Sequence, residues 1–386
     1  MHADFSSFDL DHKIVNVLAR QGITKPTPIQ EQAIPIVLTG KDIIGVAQTG
    51  TGKTLAFGLP IIQKLVGSQE RALIIAPTRE LVLQIEKTLK GIAHALPVSF
   101  KVTSIMGGVP QYRQEKELKQ HPRLIVATPG RLVDLMEKRL ISLHNMNYFV
   151  LDEADRMFDM GFAPQVKKIA STITGPHQTM LFSATMSAPV VALASTYQHS
   201  PVRVEVSPAN TSVPQIKHQM QYVRKEDKTA ALQKILGGDH KSVLVFSRTK
   251  HGASKLRTKI EQMGHKTAEI HSNKSLNQRR RALDGFRSGE FRVLVATDVA
   301  SRGIDVADIG LVVNYDLPNA PEDYIHRVGR TGRAGKDGEA VSLATHDQRQ
   351  LVSQIERLMR QQIPSSGEAN RPVDHQRPQY RHQARY

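Results

Sequence analysis

The sequence predicts an α/β protein with two tandem domains, each a mostly parallel sheet covered by helices on both faces. The chain has 386 residues, which suits two domains better than one hydrophobic core. Short β-branched runs alternate with helical patterns in two series, as in parallel sheets that are buried on both faces. Between the two series lies EVSPANTSVPQI, residues 205–216, whose proline and small polar residues are typical of a linker.

The predicted boundaries follow from these series. The first domain covers 1–206, the linker 207–215 and the second domain 216–363. A basic, disordered tail is expected at 364–386, because this segment is polar, contains proline and shows no periodicity. The predicted strands are 42–47, 72–78, 101–108, 123–130, 148–155 and 179–185 in the first domain, and 242–249, 266–272, 292–300, 309–318 and 339–345 in the second.

The composition is that of a globular protein, with 40% hydrophobic and 23% charged residues. The absence of cysteine excludes disulfides, thiolate metal sites and cysteine nucleophiles, and is compatible with a reducing compartment. The first residues, MHADFSSFDLDHK, do not resemble a signal peptide, and the sequence contains no run of about 18 apolar residues. We therefore expect a cytoplasmic protein that does not contact a membrane.

The charge favours a polyanionic partner. The 52 Lys and Arg residues exceed the 36 Asp and Glu residues, for a net charge of +16. Divided at residue 205, the first part carries 22 basic and 17 acidic residues, net +5, and the remainder 30 and 19, net +11. Such an excess favours nucleic acid, although a basic surface that only maintains solubility is the alternative.

Polar clusters follow nearly every predicted strand, at the sheet edge where open parallel sheets bind ligands. The first cluster, AQTGTGKT, begins at Ala47 and ends in Gly52, Lys53 and Thr54, as in a phosphate loop, although Ala47 replaces the first glycine. Gly50 and Gly52 let backbone N–H groups surround phosphate oxygens. Lys53 would reach the terminal phosphates and Thr54 would bind Mg²⁺. The alternative is a glycine turn before a helix, but the preceding strand and the following helix favour a phosphate loop.

The strand YFVL, at 148–151, leads into three carboxylates, Asp152, Glu153 and Asp155. Like charges this close are unfavourable unless a cation or a proton lies among them. In phosphate-loop proteins a second strand ends in an acid that binds Mg²⁺. Asp152 would bind the metal, directly or through water, and Glu153 would orient or deprotonate the attacking water. A helix start favoured by the helix dipole explains one aspartate but not three carboxylates.

Further motifs occur in a defined order: GITKPTPIQ (22–30), AQTGTGKT (47–54), PTRELVLQ (77–84), GG (107–108), TPGR (128–131), DEAD (152–155), SAT (183–185), VLVFSRT (243–249), ATDVASRGID (296–305) and HRVGRTGR (326–333). With these motifs the sequence resembles the DEAD-box family of ATP-dependent RNA helicases, from about residue 5 to about residue 360. The short N-terminus and brief tail are similar to bacterial members of the RhlE type.

The resemblance implies two RecA-like domains, ATP and Mg²⁺ as cofactors, and a monomer that binds single-stranded RNA and short RNA duplexes. Gln30 would read the adenine edge, since an amide offers one donor and one acceptor, and Phe8 would stack on the base. A helix-capping turn is the alternative role for Gln30. The other nucleotide-binding residues implied by the resemblance are Lys25, Gln48, Thr49, Thr51 and, at the ribose, Asp305.

The resemblance also implies a set of RNA contacts. Hydroxyls, glycine N–H groups and arginines suit phosphate oxygens, which carry no sequence information, so binding should be largely independent of RNA sequence. Leu276 occupies a position where the family often has a polar residue, and no RNA contact is assigned to it. The implied RNA-binding residues are Arg79, Gly108, Thr128, Arg131, Arg279, Thr297, Arg302 and Gly303.

HRVGRTGR is expected to be the catalytic contribution of the second domain. Arg330 and Arg333 are three apart and would share one face of a helix. By the resemblance they would cross the cleft to the γ-phosphate as arginine fingers. His326 would bridge towards the DEAD and SAT motifs, and Ser183 and Thr185 would couple ATP to strand separation. The alternatives are a basic helix that contacts only solvent or RNA, and a SAT motif that only caps a helix.

Three functions are compatible with these features. The first is an ATPase that locally separates short RNA duplexes. The second is an ATP-gated RNA clamp or ribonucleoprotein remodelling factor that rarely unwinds. The third is a DNA translocase with the same two-domain plan, against which DEAD combined with GITKPTPIQ argues.

Overall fold

The computed structural model describes residues 4–48, 50–96, 100–206, 216–298, 309–332 and 338–367. The chain divides into two compact units within the segment 207–215. That segment, where the linker is predicted, lies outside the described residues, and so does most of the predicted tail. Each unit is a parallel α/β sheet with flanking helices, as the sequence predicts.

The first unit contains seven described strands and nine α-helices. The strands are β1 Ile43–Val46, β2 Ala72–Ile75, β3 Val102–Ile105, β4 Leu124–Ala127, β5 Tyr148–Leu151, β6 Gln178–Ser183 and β7 Val202–Glu205. The helices are α1 His12–Arg20, α2 Pro28–Leu38, α3 Lys53–Leu65, α4 Arg79–His94, α5 Gln111–Leu118, α6 Pro129–Glu137, α7 Ala154–Asp159, α8 Ala163–Ala170 and α9 Ala188–Tyr197.

The strand order in this sheet is β3-β4-β2-β5-β6-β1-β7, and all neighbouring pairs are parallel. All the carboxyl ends therefore meet at one edge of the sheet. In β2 every residue is buried, because helices cover both faces. Leu73 and Ile75 pack on one face, in a cluster with residues of α6 to α9 such as Leu132 and Ile169.

The second unit repeats this arrangement. Its described strands are β8 Ile216–Tyr222, β9 Val243–Phe246, β10 Thr267–Ile270, β11 Val293–Ala296, β12 Leu311–Asn314, β13 Gly338–Ala344 and β14 Ser365–Gly367. Its described helices are α10 Lys228–Leu236, α11 Lys250–Gln262, α12 Leu276–Arg287, α13 Pro321–Val328 and α14 Arg349–Met359. The order β10-β11-β9-β12-β13-β8-β14 is again parallel throughout, so β8 takes the position of β1, and β12 that of β5.

Three strands were not predicted from the sequence: β7, β8 and β14. All three leave side chains partly exposed, so they lack the continuous apolar run by which the other strands were predicted. β14 pairs with β8 from Ser365 to Gly367, so the sheet extends a few residues past 363, into the start of the predicted tail. The predicted strands also run too far at their carboxyl ends, because the polar motifs there belong to loops and helix starts. The DEAD motif, for example, passes into α7 at Ala154.

None of the described helices is long and apolar enough to cross a lipid bilayer.

Candidate active site

The phosphate loop connects β1 to α3, and Thr49 within it lies outside the described residues. Lys53 is the first residue of α3, is 6% exposed, and donates from Nζ to the carbonyl oxygen of Ala47 at 2.6 Å. Gly50 and Gly52 adopt φ values of +86° and +93°, in the left-handed region that favours glycine. A Cβ on Gly50 would meet nothing within 4 Å, so this side of the loop has room for a phosphate group.

Gln30 joins helix α2 to the phosphate loop. Its Oε1 accepts from the N–H of Thr27 at 2.9 Å, and its Nε2 donates to the carbonyl oxygen of Gly52 at 2.9 Å. A Cβ on Gly52 would lie 2.4 Å from this Nε2, so the close approach requires glycine. The capping role is therefore present. An amide has two donors and two acceptor lone pairs, so each end retains capacity for the predicted adenine contact.

The remaining nucleotide-binding candidates are more exposed. Phe8 is half-buried, with its ring edge-on to Phe5 at 6.1 Å. Lys25 is exposed before α2. Gln48 is exposed in the phosphate loop, where its carbonyl oxygen accepts from the hydroxyl of Thr51 at 2.7 Å. Thr54 is the second residue of α3 and is half-buried. Asp305 lies outside the described residues.

The acidic end of β5 is buried, with Asp152, Glu153 and Asp155 at 2%, 4% and 5% exposure. Burial, with the nearby charge of Glu153, raises the pKa of Asp152 to about 7, although Lys53 opposes this shift. A divalent cation would favour the carboxylate form of Asp152. In the described part of the chain, no three His, Asp or Glu residues group as metal ligands. A single carboxylate such as that of Asp152 fits Mg²⁺, which binds one or two protein carboxylates together with nucleotide phosphates.

Glu153 has a φ of +52°, which is uncommon for a residue with a side chain. Its Oε2 forms a buried ion pair with Nη1 of Arg156 at 2.5 Å, and the two side chains are 6% and 3% exposed. Arg156, which the sequence analysis missed, therefore compensates part of the acidic charge.

Asp155 connects the DEAD motif to the SAT motif. Its Oδ2 accepts from the N–H groups of Ala184 and Thr185, at 3.1 and 2.8 Å, and from the Thr185 hydroxyl at 3.0 Å. The N–H of Asp155 donates to the Ser183 hydroxyl at 3.2 Å. That hydroxyl in turn donates to the carbonyl oxygen of Thr185 at 2.8 Å. The structure thus brings both coupling candidates of the first unit, Ser183 and Thr185, against the acidic motif.

Four predicted RNA contacts lie on neighbouring segments of the first unit. The Arg79 guanidinium covers Gly108, since a Cβ there would lie 2.6 Å from Nη1. Gly108 has a φ of +84°. Arg131 donates from Nη2 to the carbonyl oxygen of Val109 at 2.8 Å. Thr128 precedes α6, and its N–H donates to the carbonyl oxygen of Ile105 at 2.9 Å.

Gln114, another residue that the sequence analysis missed, holds the glycine loop at 106–109. It is 2% exposed, and its Oε1 accepts from the N–H of Met106 at 3.1 Å. Its Nε2 donates to the carbonyl oxygens of Met106 and Val109, at 3.1 and 3.0 Å. Because an internal glutamine on a polar helix looks like a solvent-facing residue, no sequence signal distinguished it.

The second unit contributes Thr297, buried after β11, and Arg279, buried on α12. The N–H of Thr297 donates to the carbonyl oxygen of Ile270 at 3.3 Å. This hydrogen bond fixes the start of the loop that follows β11. Arg302, Gly303 and Arg333 lie outside the described residues.

The arginine motif corrects one expectation. Helix α13 ends at Val328, so Arg330 lies in the turn after the helix and not on a helical face. Gly329 at the helix end and Gly332, with a φ of +66°, form this turn. Arg330 is 4% exposed and donates from Nε to the carbonyl oxygen of His326 at 3.2 Å. His326 is half-buried.

Comparison with known proteins agrees with the geometry. The family described as DEAD/DEAH box helicase matches residues 27–193, and the helicase conserved C-terminal domain matches 227–335. The DEAD-box ATP-dependent RNA helicase CshA of Bacillus subtilis is 39% identical over 94% of this chain and 74% of its own length. The ATP-dependent RNA helicase CshA of Listeria monocytogenes is 41% identical, and this chain spans 65% of its length.

Among solved structures, Dbp5 of S. cerevisiae bound to RNA and ADP BeF3 has a TM-score of 0.83 and 30% identity, over 94% of this chain and 95% of that one. Two parallel sheets, with a phosphate loop and an acidic strand in the first, define a P-loop ATPase of the tandem RecA-like class. The chain belongs to the DEAD-box ATP-dependent RNA helicase family, whose members hydrolyse ATP. The RhlE-like subtype stays a prediction.

Proposed function

We propose that the chain is an RNA-stimulated, Mg²⁺-dependent ATPase that locally separates short RNA duplexes without regard to sequence. The observation that carries this proposal is the buried acidic end of β5. Asp152 shares its electrostatic environment with Lys53 of the phosphate loop, and Asp155 bonds the SAT motif. One set of carboxylates thus contacts both the nucleotide-binding elements and the predicted coupling element.

In the first domain, Lys53, Thr54 and the loop N–H groups bind the phosphates. Asp152 and Thr54 would hold Mg²⁺, which would supply positive charge to the phosphate oxygens. Glu153 accepts a proton from the attacking water or orients it. Its ion pair with Arg156 fixes the position of the carboxylate. Phe8, Lys25 and Gln30 bind the base. The hydrogen bond from the Gln30 amide to the carbonyl oxygen of Gly52 couples base binding to the phosphate loop.

RNA binding occurs along the sheet edges. Arg79, Gly108, Thr128 and Arg131 of the first domain, and Arg279, Thr297, Arg302 and Gly303 of the second, contact the RNA backbone. In the ATP-bound and RNA-bound state, Arg330 and Arg333 stabilise charge on the transferring phosphoryl group, Asp305 contacts the ribose, and His326 joins the coupling network. Closure of the domains bends one strand, and hydrolysis releases it.

The test compares ATP hydrolysis with and without RNA, with DNA of the same sequence as competitor. We expect stimulation by RNA only, little dependence on base sequence, and an affinity that falls steeply with salt because phosphate contacts release counterions. Stimulation by DNA equal to that by RNA would favour the translocase.

A second assay separates unwinding from clamping. Release of a short labelled RNA strand is measured beside retention of single-stranded RNA, both with ATP. Retention without strand release would favour the ATP-gated clamp over the helicase.

A further inference from the structure

The second sheet contains a lysine and an aspartate at the positions of the nucleotide-binding pair of the first sheet. Lys53 begins the helix after β1, and Lys228 begins the helix after β8, the strand in the equivalent position. Asp152 follows β5, and Asp316 follows β12, again the equivalent strand. The two pairs therefore occupy matching places in the two folds.

The connections before the two lysines differ. The phosphate loop before Lys53 contains Gly50 and Gly52, whereas the segment 223–227 before Lys228 reads VRKED and has no glycine. It therefore lacks the residues that let a backbone surround phosphate oxygens. The lysine is 5% exposed, and its Nζ donates to the carbonyl oxygen of Tyr315 at 2.8 Å and to Oδ1 of Asp316 at 3.2 Å. In this sheet the lysine bonds the acid directly.

Asp316 is held by several other partners. Its Oδ2 accepts from the hydroxyl of Ser247 at 3.3 Å and the N–H of Arg248 at 3.1 Å. Its carbonyl oxygen accepts from Nη1 of Arg327 at 2.6 Å. The segment between β12 and α13 is thereby tied to α10, to the end of β9 and to α13.

Arg327 extends this network into α13. Its guanidinium pairs with both carboxylate oxygens of Asp298, at 2.5 and 2.7 Å, and donates to Oδ1 of Asn314 at 3.0 Å. It also lies over the Phe246 ring, 4.8 Å from its centre. One turn along the same segment, Arg330 donates to the carbonyl oxygen of His326. The N–H of Arg330 donates to the carbonyl oxygen of Arg327 at 3.1 Å, so hydrogen bonds connect Asp316 to Arg330 through Arg327.

We propose that Lys228 and Asp316 are positioning residues for Arg330. The second domain has the lysine–aspartate arrangement of a nucleotide site, but here the two side chains bond each other and hold the segment that leads to the arginine motif. The proposal rests on the proposed finger role of Arg330. Burial lowers the pKa of Lys228, and the charge of Asp316 opposes this shift. Lys228 is 5% exposed and the Asp316 side chain 26%, so neutralising either one leaves its partner's charge without its ion pair and should displace the segment between β12 and α13.

The test is a double-mutant cycle between Lys228→Met and Arg330→Ala, measured as RNA-stimulated ATP hydrolysis. Alone, Lys228→Met should lower kcat by about tenfold while the KM for ATP changes by less than about twofold, because the first domain binds the nucleotide. In the Arg330→Ala background it should lower kcat no further, since it acts only through Arg330. Asp316→Asn should behave in the same way.

Lys234→Met is the matched control, because Lys234 is an exposed lysine on the same helix, α10. It should leave kcat unchanged. Circular dichroism and thermal melting confirm that each variant is folded at the assay temperature. Removing both charges, in Lys228→Met with Asp316→Asn, should recover part of the lost melting temperature but not kcat.

Four outcomes would overturn the proposal: additive losses in the cycle, recovery of kcat together with stability in the doubly neutral variant, an unchanged kcat in Lys228→Met, or failure of both single variants to fold. The last would make the pair a stability element. Failure of the proposed function is distinguishable, because Arg330→Ala alone would then hydrolyse ATP normally.

Discussion

Individual side chains at the end of β5 have separate electrostatic environments although they are neighbours in sequence. Asp152 is buried near Lys53 and has a raised pKa. Glu153 is paired with Arg156, and Asp155 accepts three hydrogen bonds from the SAT segment. Substitutions at these three positions should therefore affect different steps of the reaction cycle.

Glu153→Gln and Lys53→Ala should both abolish ATP turnover, for different reasons. Glu153→Gln leaves Asp152 in place, so nucleotide still binds and RNA is trapped, but the proton acceptor is lost. It also removes a buried charge partner of Arg156, which costs about 3 kcal/mol of stability. Lys53→Ala removes a phosphate contact and should weaken ATP binding. The measurements are ATPase rate, binding of a fluorescent nucleotide and thermal unfolding.

Glu137→Gln is a suitable control for the charge change, because Glu137 is 57% exposed in a surface ion pair with Lys168. Its effect on turnover and stability should be small. Hydrolysis close to the wild-type rate in either site variant would show that the assignment of the acidic motif is wrong.

The elements most accurately predicted from sequence are those buried on both faces, such as β2 and β5, whose residues are all buried. β8 was missed because only Met220 in it is fully buried. In the site, Lys53 and Asp152 were identifiable because short motifs contain them. The pairing of Glu153 with Arg156 was not identifiable, because one helical turn brings the two side chains together and no motif contains both. The contacts of Gln114 were not identifiable either, because they depend on the conformation of a loop.

At the level of elements, helix α5 should control RNA affinity through Gln114. Gln114→Ala removes three hydrogen bonds from the loop that contains Gly108, so the loop loses its fixed conformation. The RNA concentration for half-maximal ATPase should rise roughly fivefold, about 1 kcal/mol, while the maximal rate is unchanged. Gln120→Ala, at an exposed position after the same helix, is the control. An unchanged RNA dependence would contradict a role for this loop in RNA binding.

Strand β14 should matter for stability although its side chains are exposed. The carbonyl oxygen of Pro364 accepts from the N–H of Met220 at 2.8 Å, and Ser365–Gly367 pairs with β8. A chain that ends at Ile363 loses this pairing and should lose about 1–3 kcal/mol of stability, at about 1 kcal/mol for each hydrogen bond. A chain that ends at Gly367 should melt like the full-length protein. Equal melting temperatures for the two truncated chains would contradict this expectation.

At the scale of the whole molecule, the proposed chemistry divides between the two domains. The phosphate loop and the acids belong to the first domain, whereas Arg330 belongs to the second. Binding and hydrolysis should therefore respond separately to substitution.

Arg330→Ala should retain ATP binding and lose hydrolysis, by about a thousandfold or more, as for other arginine fingers. The measurements are nucleotide affinity and RNA-stimulated ATPase rate. Arg280→Ala is the matched control, since Arg280 is 78% exposed on α12 and no role is assigned to it. A mere twofold fall in rate for Arg330→Ala would show that the arginine only contacts RNA or solvent.

The parallel order of both sheets leaves their amino-terminal edges without any proposed functional group. Exposed residues there, such as Ser171 before β6 and Lys241 before β9, can be replaced without touching a motif. Because the sequence contains no cysteine, one introduced thiol in each domain would be the only reactive sulfur there. A donor and an acceptor dye attached at these two positions would give a distance signal from working enzyme, and so a direct test of whether the proposed closure accompanies each turnover.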